Sequence, residues 1–366
     1  MTPRRCLIAA GGTGGHLFPA RATAETLIAL GWEVRLITDA RGQRHTDGFP
    51  AVAVDVIRAA SPSTKNPIKL VKAALELTGG VAQTRKIMMD WRPDVVAGFG
   101  GYPAFPALAA AQSMRIPFAI HEQNAVLGRV NRVFAGQAAF VASGFDRLDR
   151  VSDKAKRLVT GNPLRAPIVE ARQTGYTPPA TGEAVRLLVL GGSLGARLLS
   201  ETVPQAVAKL PESLRSRLDV VQQTREESLP MAREIYSEAG VRAVCEPFFE
   251  KVGDLYADAH FVISRAGASS VSEIAGVGRP ALFCPLGIAT DDHQSANAEG
   301  LVQALAADCL PEARFTVDAV AELLETRLSD PDDLAERARA ARSLGRPDAA
   351  ETFAKAVNGL MRGAVV

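Results

Sequence analysis

A glycine-rich turn near the amino terminus constrains the fold of this chain more than any other stretch. It reads Gly-Gly-Thr-Gly-Gly-His at residues 11–16, after an apolar run at residues 6–10 and before a helical pattern at residues 17–30. Glycines let the backbone approach a ligand closely, and the N–H groups at a helix start point toward negative charge. The turn therefore predicts contact with a phosphate or pyrophosphate, although a tight strand–helix connection without a ligand would use the same glycines.

The same arrangement occurs a second time. Residues 191–195, Gly-Gly-Ser-Leu-Gly, follow an apolar run at residues 186–190 and begin 180 residues after the first turn. A chain of 366 residues matches about two domains of roughly 100–200 residues each. The Thr-, Pro- and Gly-rich segment at residues 173–183 is typical of a linker. We therefore expect an N-terminal domain at residues 1–165 and a C-terminal domain at residues 166–345.

Apolar runs of four to six residues alternate with helical patterns, as they do in parallel α/β domains. The predicted strands lie at residues 6–10, 33–37, 52–56, 94–98, 117–120, 139–142 and 156–159 in the first domain, and at 186–190, 219–222, 243–246, 261–264 and 281–284 in the second. The fold class is therefore α/β, with two Rossmann-like parallel sheets. Ligands of such sheets bind at the carboxyl ends of the strands, so both glycine turns are expected to face a cleft between the domains.

Charge and apolar patterning exclude several classes of protein. A net charge of +2 gives no global basic field, so nucleic acid is not an expected partner. No stretch approaches 18 uninterrupted apolar residues, and the first apolar run is too short for a signal-peptide core. The four cysteines are far apart and mostly lie in apolar runs: Cys6, Cys245, Cys284 and Cys309. Their spacing predicts buried free thiols in a reducing cytoplasm.

Polar and glycine residues follow the predicted strands of the first domain. His16 either starts a helix without a chemical role or accepts a proton beside a bound anion, since histidine titrates near neutral pH. The segment Phe-Gly-Gly-Tyr-Pro at residues 99–103 is either a second anion contact or a loop that joins two elements. His-Glu-Gln-Asn at residues 121–124 favours hydroxyl recognition, although Asn124 could instead cap a helix that begins near Ala125.

Two further candidates lie near the domain boundary and in the second domain. Arg165, in Gly-Asn-Pro-Leu-Arg, is either a surface ion-pair partner or a bidentate contact for a leaving diphosphate. Ser270 and Glu273 have the spacing of a capping box at a helix start. The alternative is that this helix start holds phosphate while Glu273 holds a ribose diol, as acidic residues do in dinucleotide folds at another spacing.

Two acidic segments raise the question of a metal site. Asp291 and Asp292, before His293 and Gln294, are better explained as a polar helix start that complements the helix dipole. Gln294 could then turn toward a sugar hydroxyl. Asp-Pro-Asp at residues 330–332 has an acidic spacing that metal-dependent sugar transferases use, but it lies in a helix start with no adjacent strand. We therefore expect no metal.

Taken together and in order, these motifs resemble one family over almost the whole chain. The segments GGTGGH, FGGYP, HEQN, GNPLR, GGSLGAR, SRAGASSVSE and DDHQ closely resemble the MurG family. That family consists of bacterial glycosyltransferases that convert lipid I to lipid II in peptidoglycan synthesis. The resemblance implies the two-domain GT-B fold and the transfer, with inversion, of GlcNAc from UDP-GlcNAc to the 4-hydroxyl of the muramyl sugar. It implies no cofactor and no metal.

The resemblance also implies roles for particular residues. The donor-binding set would be Thr13, Gly14, Gly15, Asn124, Arg165, Ser193, Phe249, Ala268, Ser269, Ser270, Glu273 and Gln294. Within it, Glu273 would hold the ribose and the backbone near Phe248 and Phe249 would read uracil. Gly100, Gly101 and Tyr102 would lie toward the acceptor, with His16 as the first candidate for the base and Glu122 as the second. The last helix, within residues 346–366, would pack back on the first domain.

This chain departs from other members of the family at two positions. Leu194 and His293 stand where some members have Gln, which leaves side-chain contacts with the sugar there open. Two other functions also remain open. One is a UDP-GlcNAc 2-epimerase, and the other is a nucleotide-sugar-binding scaffold without catalytic activity.

A basic and apolar segment at residues 65–92 predicts a membrane surface. Its six basic residues, Lys65, Lys69, Lys72, Arg85, Lys86 and Arg92, outnumber Glu76 and Asp90. Apolar residues are interleaved, and Gly79 and Gly80 are expected to split the segment into two helices. A lipid-linked acceptor must be reached at the bilayer, so we expect peripheral attachment to the anionic cytoplasmic face of the inner membrane. Cell-wall and division proteins are candidate partners.

Overall fold

The computed structural model describes residues 3–12, 14–59, 67–180, 182–192, 195–287 and 292–361, and it describes residues 67–71 by their backbone alone. The chain forms two compact units. The first comprises Met1–Arg165 with Pro347–Val366, and the second comprises Ala166–Arg346. Each unit is built on one parallel sheet, so the predicted α/β class is confirmed.

The helices and strands alternate along both units. The first unit contains β1 (Arg4–Ala9), α1 (Gly14–Ala29), β2 (Trp32–Thr38), β3 (Ala53–Val56), α2 (Pro67–Trp91), β4 (Val95–Gly98), α3 (Ala104–Met114), β5 (Phe118–Glu122), α4 (Arg129–Phe134), β6 (Phe140–Ser143) and β7 (Arg157–Val159). The second contains α5 (Ala166–Ala171), β8 (Val185–Leu190), α6 (Arg197–Ala208), α7 (Glu212–Arg215), β9 (Leu218–Gln223), α8 (Leu229–Glu238), β10 (Arg242–Glu246), α9 (Val252–Asp258), β11 (Phe261–Ser264), α10 (Ala268–Val277), β12 (Ala281–Phe283), α11 (His293–Gln303), β13 (Ala307–Cys309), α12 (Val317–Leu328) and α13 (Pro331–Leu344). The last helix, α14 (Ala349–Leu360), belongs to the first unit.

All the predicted strands are confirmed, with bounds that differ by at most two residues. The sequence pattern does not predict β13, because three residues are too few to show a period. The first sheet has the order β3-β2-β1-β4-β5-β6-β7, and the second has the order β10-β9-β8-β11-β12-β13. Each order reverses at the strand that precedes a glycine turn, β1 or β8. In open parallel sheets, ligands bind at this point, beside the carboxyl ends of the strands.

Apolar side chains fill both faces of the first sheet. Leu7 and Ala9 of β1 lie in a core on the side of α3, while Cys6 and Ile8 lie in a core on the side of α1. Strands that are buried on both faces need such continuous apolar runs, because helices cover both sides of a parallel sheet. The second unit has its own core around β8, β9 and β11.

The prediction that two glycines split the 65–92 segment is wrong. A single helix, α2, runs through Gly79 and Gly80. A Cβ atom on Gly80 would lie 2.2 Å from the carbonyl oxygen of Arg58, so this glycine allows a close approach of the helix to the preceding backbone. The contact explains why a residue of low helix propensity occurs inside a helix. Among the described residues, no helix is both long and apolar enough to cross a membrane.

Two helix caps that the sequence left open as alternatives do not form, and one helix start is confirmed. Helix α4 has Gly128 as its N-cap, so Asn124 lies in the loop before it and caps nothing near Ala125. Helix α10 has Gly267 as its N-cap, which places Ser270 inside the helix and excludes the capping box with Glu273. Asp330 starts α13, where its carboxylate accepts hydrogen bonds from the backbone N–H groups of the next turn.

The cysteines are free thiols. Cys6, Cys245 and Cys284 are buried, and Cys309 is half-buried. Burial raises the pKa of the Cys284 thiol to about 12, and it raises the pKa of the other three thiols as well. The prediction that the cysteines are buried, free thiols is thus confirmed for three of the four.

Candidate active site

The first glycine turn and the 99–103 loop lie against each other. The turn follows β1, the loop follows β4, and these strands are neighbours in the sheet. A Cβ atom on Gly11 would lie 2.4 Å from Cγ of Pro103, and one on Gly101 would lie 2.5 Å from the carbonyl oxygen of Gly11. The structure therefore brings together two of the predicted motifs, and only glycine fits where they touch. Thr13, which belongs to the predicted donor-binding set, lies outside the described residues.

A buried carboxylate holds the first glycine turn from the side of β2. Asp39, which is 4% exposed, accepts hydrogen bonds through Oδ1 from the backbone N–H groups of Gly12, at 3.1 Å, and Gly42, at 2.8 Å. Its Oδ2 is 3.2 Å from the guanidinium of Arg41. Sequence reasoning missed Asp39. Its position directly after a predicted strand, beside the strand that carries the glycine turn, is the signal that could have found it.

His16 lies in the first turn of α1, which begins at Gly14. Its ring is half-buried, and its Nδ1 is 2.8 Å from Oε1 of Gln123. The Gln123 amide nitrogen is in turn 3.1 Å from Nδ1 of His121. Nε2 of His121 is 2.9 Å from the carbonyl oxygen of Gly161. A chain of hydrogen bonds therefore runs from His16 into the core of the first unit, and we call these three side chains the histidine relay.

His121 is a neutral, fully buried member of this relay. Its ring stacks on Phe99, with centroids 5.3 Å apart and an angle of 20° between the planes, and Phe353 packs against it edge-on. Burial lowers the pKa of His121 to about 4, which the hydrogen bond to Gly161 only partly offsets. At neutral pH one ring nitrogen of this imidazole therefore carries a hydrogen and the other carries a lone pair.

Glu122, the second candidate for the base, is engaged in holding a loop. Its carboxylate is 2% exposed. One oxygen accepts hydrogen bonds from the backbone and side-chain N–H groups of Asn124, at 3.1 and 3.3 Å. The other accepts from the backbone of Gly128 and the side chain of Asn131, both at 2.8 Å. A carboxylate with four donors around it is suited to fixing the segment that leads into α4.

Arg165 lies beside the start of α1. Its guanidinium carbon is 4.8 Å from the centroid of the Phe18 ring, within the range of a cation–π contact. Phe18 is two residues after His16, so this contact holds a positive charge on the same helix turn as the relay. Tyr102 is half-buried in the loop before α3. Of the predicted donor contacts in this unit, Gly14 is buried and Gly15 is half-buried at the first residues of α1.

The second glycine turn is held in the same way as the first. The backbone N–H of Gly191 donates to Oε1 of Gln223 at 3.0 Å, and Nε2 of Gln223 donates to the carbonyl of Pro247 at 3.2 Å. Gln223 ends β9, as Asp39 follows β2, so each turn is tied to the neighbouring strand. Sequence reasoning missed Gln223 as well. Ser193 and Leu194 lie outside the described residues.

The segment that Gln223 holds leads directly to two phenylalanines. Phe248 is 72% exposed, and Phe249 is half-buried. Their placement after β10 puts them next to Pro247, whose carbonyl is fixed by Gln223. The two phenylalanines thus directly follow the proline that Gln223 ties to the second glycine turn, and the resemblance implies that the backbone here recognises uracil.

The start of α10 presents backbone donors at a partly open surface. Ala268, Ser269 and Ser270 are all half-buried in the first turn, while Glu273 is 7% exposed deeper in the helix. The helix begins after an extended Gly267 and has no acidic residue in its first turn. A helix start of this kind attracts an anion, because its N–H groups have no partner within the helix and carry partial positive charge.

Gln294 holds the backbone near the start of α11. Its Oε1 accepts a hydrogen bond from the N–H of Leu286 at 2.9 Å. Asp292 is the N-cap residue, and its carboxylate accepts from the hydroxyl of Ser295. The polar helix start is thus confirmed for Asp292, and Asp291 lies outside the described residues. Among the described residues, no group of three or more His, Cys, Asp or Glu side chains is placed to hold a metal ion.

Comparison with known proteins agrees with the division of the chain into two units. The model of the glycosyltransferase family 28 N-terminal domain matches residues 6–143, and that of the glycosyltransferase family 28 C-terminal domain matches residues 186–353. Together these matches cover most of the chain.

Curated and solved relatives agree with the family models. The chain is 72% identical, over all of both proteins, to a UDP-N-acetylglucosamine--N-acetylmuramyl-(pentapeptide) pyrophosphoryl-undecaprenol N-acetylglucosamine transferase of Maricaulis maris. The crystal structure of Acinetobacter baumannii MurG matches with a TM-score of 0.80 at 29% identity, and the match covers 97% of this chain and 99% of that one.

A second solved structure shares the fold alone. A putative UDP-N-acetylglucosamine 2-epimerase of Listeria monocytogenes matches with a TM-score of 0.67 at 16% identity, over 99% of this chain and 98% of that one. Family models, full-length identity and structural similarity at higher identity all favour the transferases. The fold is GT-B, as the motifs implied, and the chain belongs to glycosyltransferase family 28 and, within it, to the MurG family.

Proposed function

We propose that this protein is an inverting N-acetylglucosaminyltransferase. It transfers GlcNAc from UDP-GlcNAc to the 4-hydroxyl of the muramyl sugar of lipid I and so produces lipid II. The observation that carries the proposal is His16, which lies at the first glycine turn and is held by a buried relay. The 72% identity to the Maricaulis maris transferase supports the substrates.

The reaction is a direct displacement at the anomeric carbon. The acceptor oxygen forms a bond to this carbon while the bond to the diphosphate oxygen breaks, and its electron pair leaves with UDP. The hydroxyl proton passes to His16. Assistance by a general base of this kind is typically worth about 10²–10⁴-fold in rate.

In this proposal, groups of the protein itself stabilise the leaving diphosphate, without a bound metal cation. The helix start at Ala268–Val277 offers backbone N–H groups to the diphosphate, and Arg165 offers a guanidinium. Electrostatic stabilisation by groups that are already oriented is often the largest single contribution to catalysis. Glu273, buried in the same helix, would accept hydrogen bonds from the ribose hydroxyls. We propose that transfer needs no metal and persists in excess EDTA.

Glu122 is better suited to positioning than to proton transfer. To act as the base, Glu122 would have to present one of its oxygens to the acceptor hydroxyl. Both oxygens, however, accept hydrogen bonds from Asn124, Gly128 and Asn131. Breaking these bonds would release the loop before α4. We therefore propose that His16 is the base and that Glu122 fixes the loop that carries Asn124.

One face of α2 provides a surface for the membrane. Leu75 and Met89 are 67% and 55% exposed, and they lie nearly four helical turns apart on the same side. Lys72 and Lys86 are exposed on that side. Trp91 does not contribute, because the guanidinium groups of two arginines lie over its ring within the first unit. We propose reversible attachment of this face to an anionic leaflet, at the cytoplasmic side where UDP-GlcNAc is available.

One assay separates the proposed function from the two alternatives. The protein is incubated with UDP-GlcNAc, with and without a water-soluble lipid I analogue, and UDP, ManNAc and the disaccharide product are measured. A transferase releases UDP in proportion to the disaccharide and only when acceptor is present. Release of ManNAc without acceptor would indicate the epimerase, and binding of UDP-GlcNAc without any UDP release would indicate the scaffold.

A further inference from the structure

We propose that Gln123 is a positioning residue that fixes the tautomer of His16, so that the lone pair of the imidazole is always on Nε2. This inference deepens the proposed function and rests on it, since it concerns the residue that takes the acceptor proton. It is carried by the order of donors and acceptors along the histidine relay. Each link of that order is set by a group that can act in one way only.

The order begins at the backbone. Nε2 of His121 is 2.9 Å from the carbonyl oxygen of Gly161, and a carbonyl can only accept, so the hydrogen of His121 is on Nε2. This ring is fully buried and neutral at pH 7, and its Nδ1 therefore carries the lone pair. An acceptor at Nδ1 requires a donor opposite, which is the NH₂ group of Gln123 at 3.1 Å.

A second contact fixes the amide of Gln123 independently. The same NH₂ group lies 3.2 Å from the backbone carbonyl oxygen of His121, which also needs a donor. The amide oxygen must then point the other way, toward Nδ1 of His16 at 2.8 Å. An amide oxygen can only accept, so His16 carries its hydrogen on Nδ1 and its lone pair on Nε2.

The surroundings of the relay hold Gln123 in place. Gln123 is buried, and its backbone carbonyl accepts a hydrogen bond from the side chain of Asn162 at 2.9 Å. A Cβ atom on Gly100 would lie 3.2 Å from Cε1 of His16, so the loop after β4 runs close to the edge of the ring. A side chain at position 100 would therefore press on the ring that Gln123 orients.

A neutral amide in this position has a chemical consequence. When Nε2 takes the proton of the acceptor hydroxyl, the hydrogen on Nδ1 is already directed at Oε1 of Gln123. The amide orients the imidazolium but, unlike a carboxylate, does not add a full negative charge beside it. The hydrogen on Nδ1 stays directed at Gln123 when the proton on Nε2 leaves, so the next cycle starts with the same tautomer.

The test uses the full-length protein with ¹⁵N-labelled histidine, whose five residues include His16. The variant His16→Gln identifies the His16 resonances by their loss. In the parent protein we expect Nδ1 of His16 to carry hydrogen and Nε2 to carry the lone pair. Gln123→Met, which removes both hydrogen-bonding groups at similar volume, should give a mixture of tautomers. Gln123→Glu loses the donor to His121 but retains an acceptor for Nδ1 of His16, so the hydrogen should stay on that nitrogen.

Turnover is measured on the same samples. For Gln123→Met we expect kcat to fall roughly 10- to 100-fold, because misoriented groups lose rate of this order. The KM for UDP-GlcNAc should change less than twofold. A hydrogen on Nε2 of His16 in the parent would overturn the inference even if the variants fail to fold. An unchanged tautomer and kcat in Gln123→Met would overturn it too.

The two measurements test the tautomer of His16 and the proposed function separately. If the parent is active but His16 has the other tautomer, the role proposed for Gln123 is wrong and the proposed transferase function stands. If the parent has the expected tautomer but forms no disaccharide, the proposed transferase function is wrong. The positioning by Gln123 is still supported, since the resonances of His16 do not depend on activity.

Discussion

The ring of Phe353, on the last helix of the chain, packs edge-on against the imidazole of His121, with centroids 5.3 Å apart and planes at 87°. The same ring contacts Phe99 and Phe140, which extend from β4 and β6. The C-terminal helix α14 thereby forms the wall behind the histidine relay. One aromatic side chain therefore packs against both the core of the first unit and the buried end of the histidine relay.

Replacing Phe353 with alanine should destabilise the first unit. We expect a loss of about 3–5 kcal/mol in the free energy of unfolding, because a fully buried phenylalanine leaves a cavity. Urea-induced unfolding followed by circular dichroism measures the loss. Phe248→Ala is the control, since a side chain that is 72% exposed should change stability by only ~0.5 kcal/mol or less. Equal effects of the two variants would contradict the assignment of Phe353 to the core.

The stability of the protein should fall between about pH 6.5 and pH 4 in a way that depends on His121. Burial lowers the pKa of this residue to about 4 in the folded protein, so below pH 6.5 the unfolded chain binds a proton that the folded protein does not. Stability present above pH 6.5 is therefore lost as the pH falls, by at most ~3 kcal/mol for His121.

Urea unfolding of the parent and His121→Gln at several pH values measures this dependence. His121→Gln should be less stable at pH 7 but should lose less stability on acidification. The exposed His45, replaced in the same way, serves as the control and should leave the pH dependence of the parent unchanged. An identical acid sensitivity in His121→Gln would show that another group is responsible.

Removing the carboxylate of Asp39 should loosen the first glycine turn. Asp39→Ala leaves the backbone N–H groups of Gly12 and Gly42 without their acceptor, at a cost of about 1–3 kcal/mol. Transfer activity should fall as well, because the turn precedes the helix that carries His16. Asp39→Asn keeps an acceptor oxygen and should recover much of the stability, whereas the exposed Asp47→Ala should behave like the parent. No difference between the alanine variants of Asp39 and Asp47 would show that Asp39 does not hold the first glycine turn.

The two candidates for the base should respond differently to substitution. His16→Ala should lower kcat by about 10²–10⁴-fold, while UDP-GlcNAc affinity, measured by calorimetry, changes less than twofold. Glu122→Gln replaces one oxygen acceptor by a donor opposite N–H groups, so it should lower thermal stability as well as activity. Near-normal turnover of His16→Ala with normal stability of Glu122→Gln would reverse the assignment.

Attachment to membranes should depend on charge and salt. The parent should float with vesicles that contain anionic lipid at low salt, and it should not float with neutral vesicles. Reversing both Lys72 and Lys86 to Glu should weaken binding by on the order of 30-fold, at about 1 kcal/mol for each lost charge. Lys154 and Lys156, exposed in the same unit, provide a control with the same change of charge. Equal loss in both double variants would mean that overall charge, rather than α2, attracts the protein.

Much of the fold could be predicted because its signals are local. The apolar runs and glycine turns at residues 6–16 and 186–195 each contain a strand, a turn and the start of a helix within a few residues. The cap roles considered for Asn124 and Ser270 do not occur although both residues have cap chemistry, because the helix start is decided by where the chain turns after the strand. Gly128 and Gly267, which carry no side chain to signal a cap, are the residues found there.

The histidine relay could not be predicted from the sequence. His16 and Gln123 are separated by 107 residues, and their contact exists only because β1, β4 and β5 are neighbours in the sheet. The role of Asp39 has the same origin, since its hydrogen bonds to Gly12 and Gly42 join two loops. Sequence patterns identify which residues could do chemistry, whereas side-chain contacts across a sheet decide how these residues are oriented.

The place of α14 in the first unit has a consequence for how the protein is made. The core of that unit is missing Phe353 until 188 further residues have followed Arg165 out of the ribosome. At bacterial rates of elongation this delay is roughly 10 to 40 s. The second unit, which is continuous in the chain, can complete its own core during that time. The half of the protein that is synthesised first is therefore the half that finishes folding last, and it exposes an unfinished apolar surface beside His121 throughout the wait.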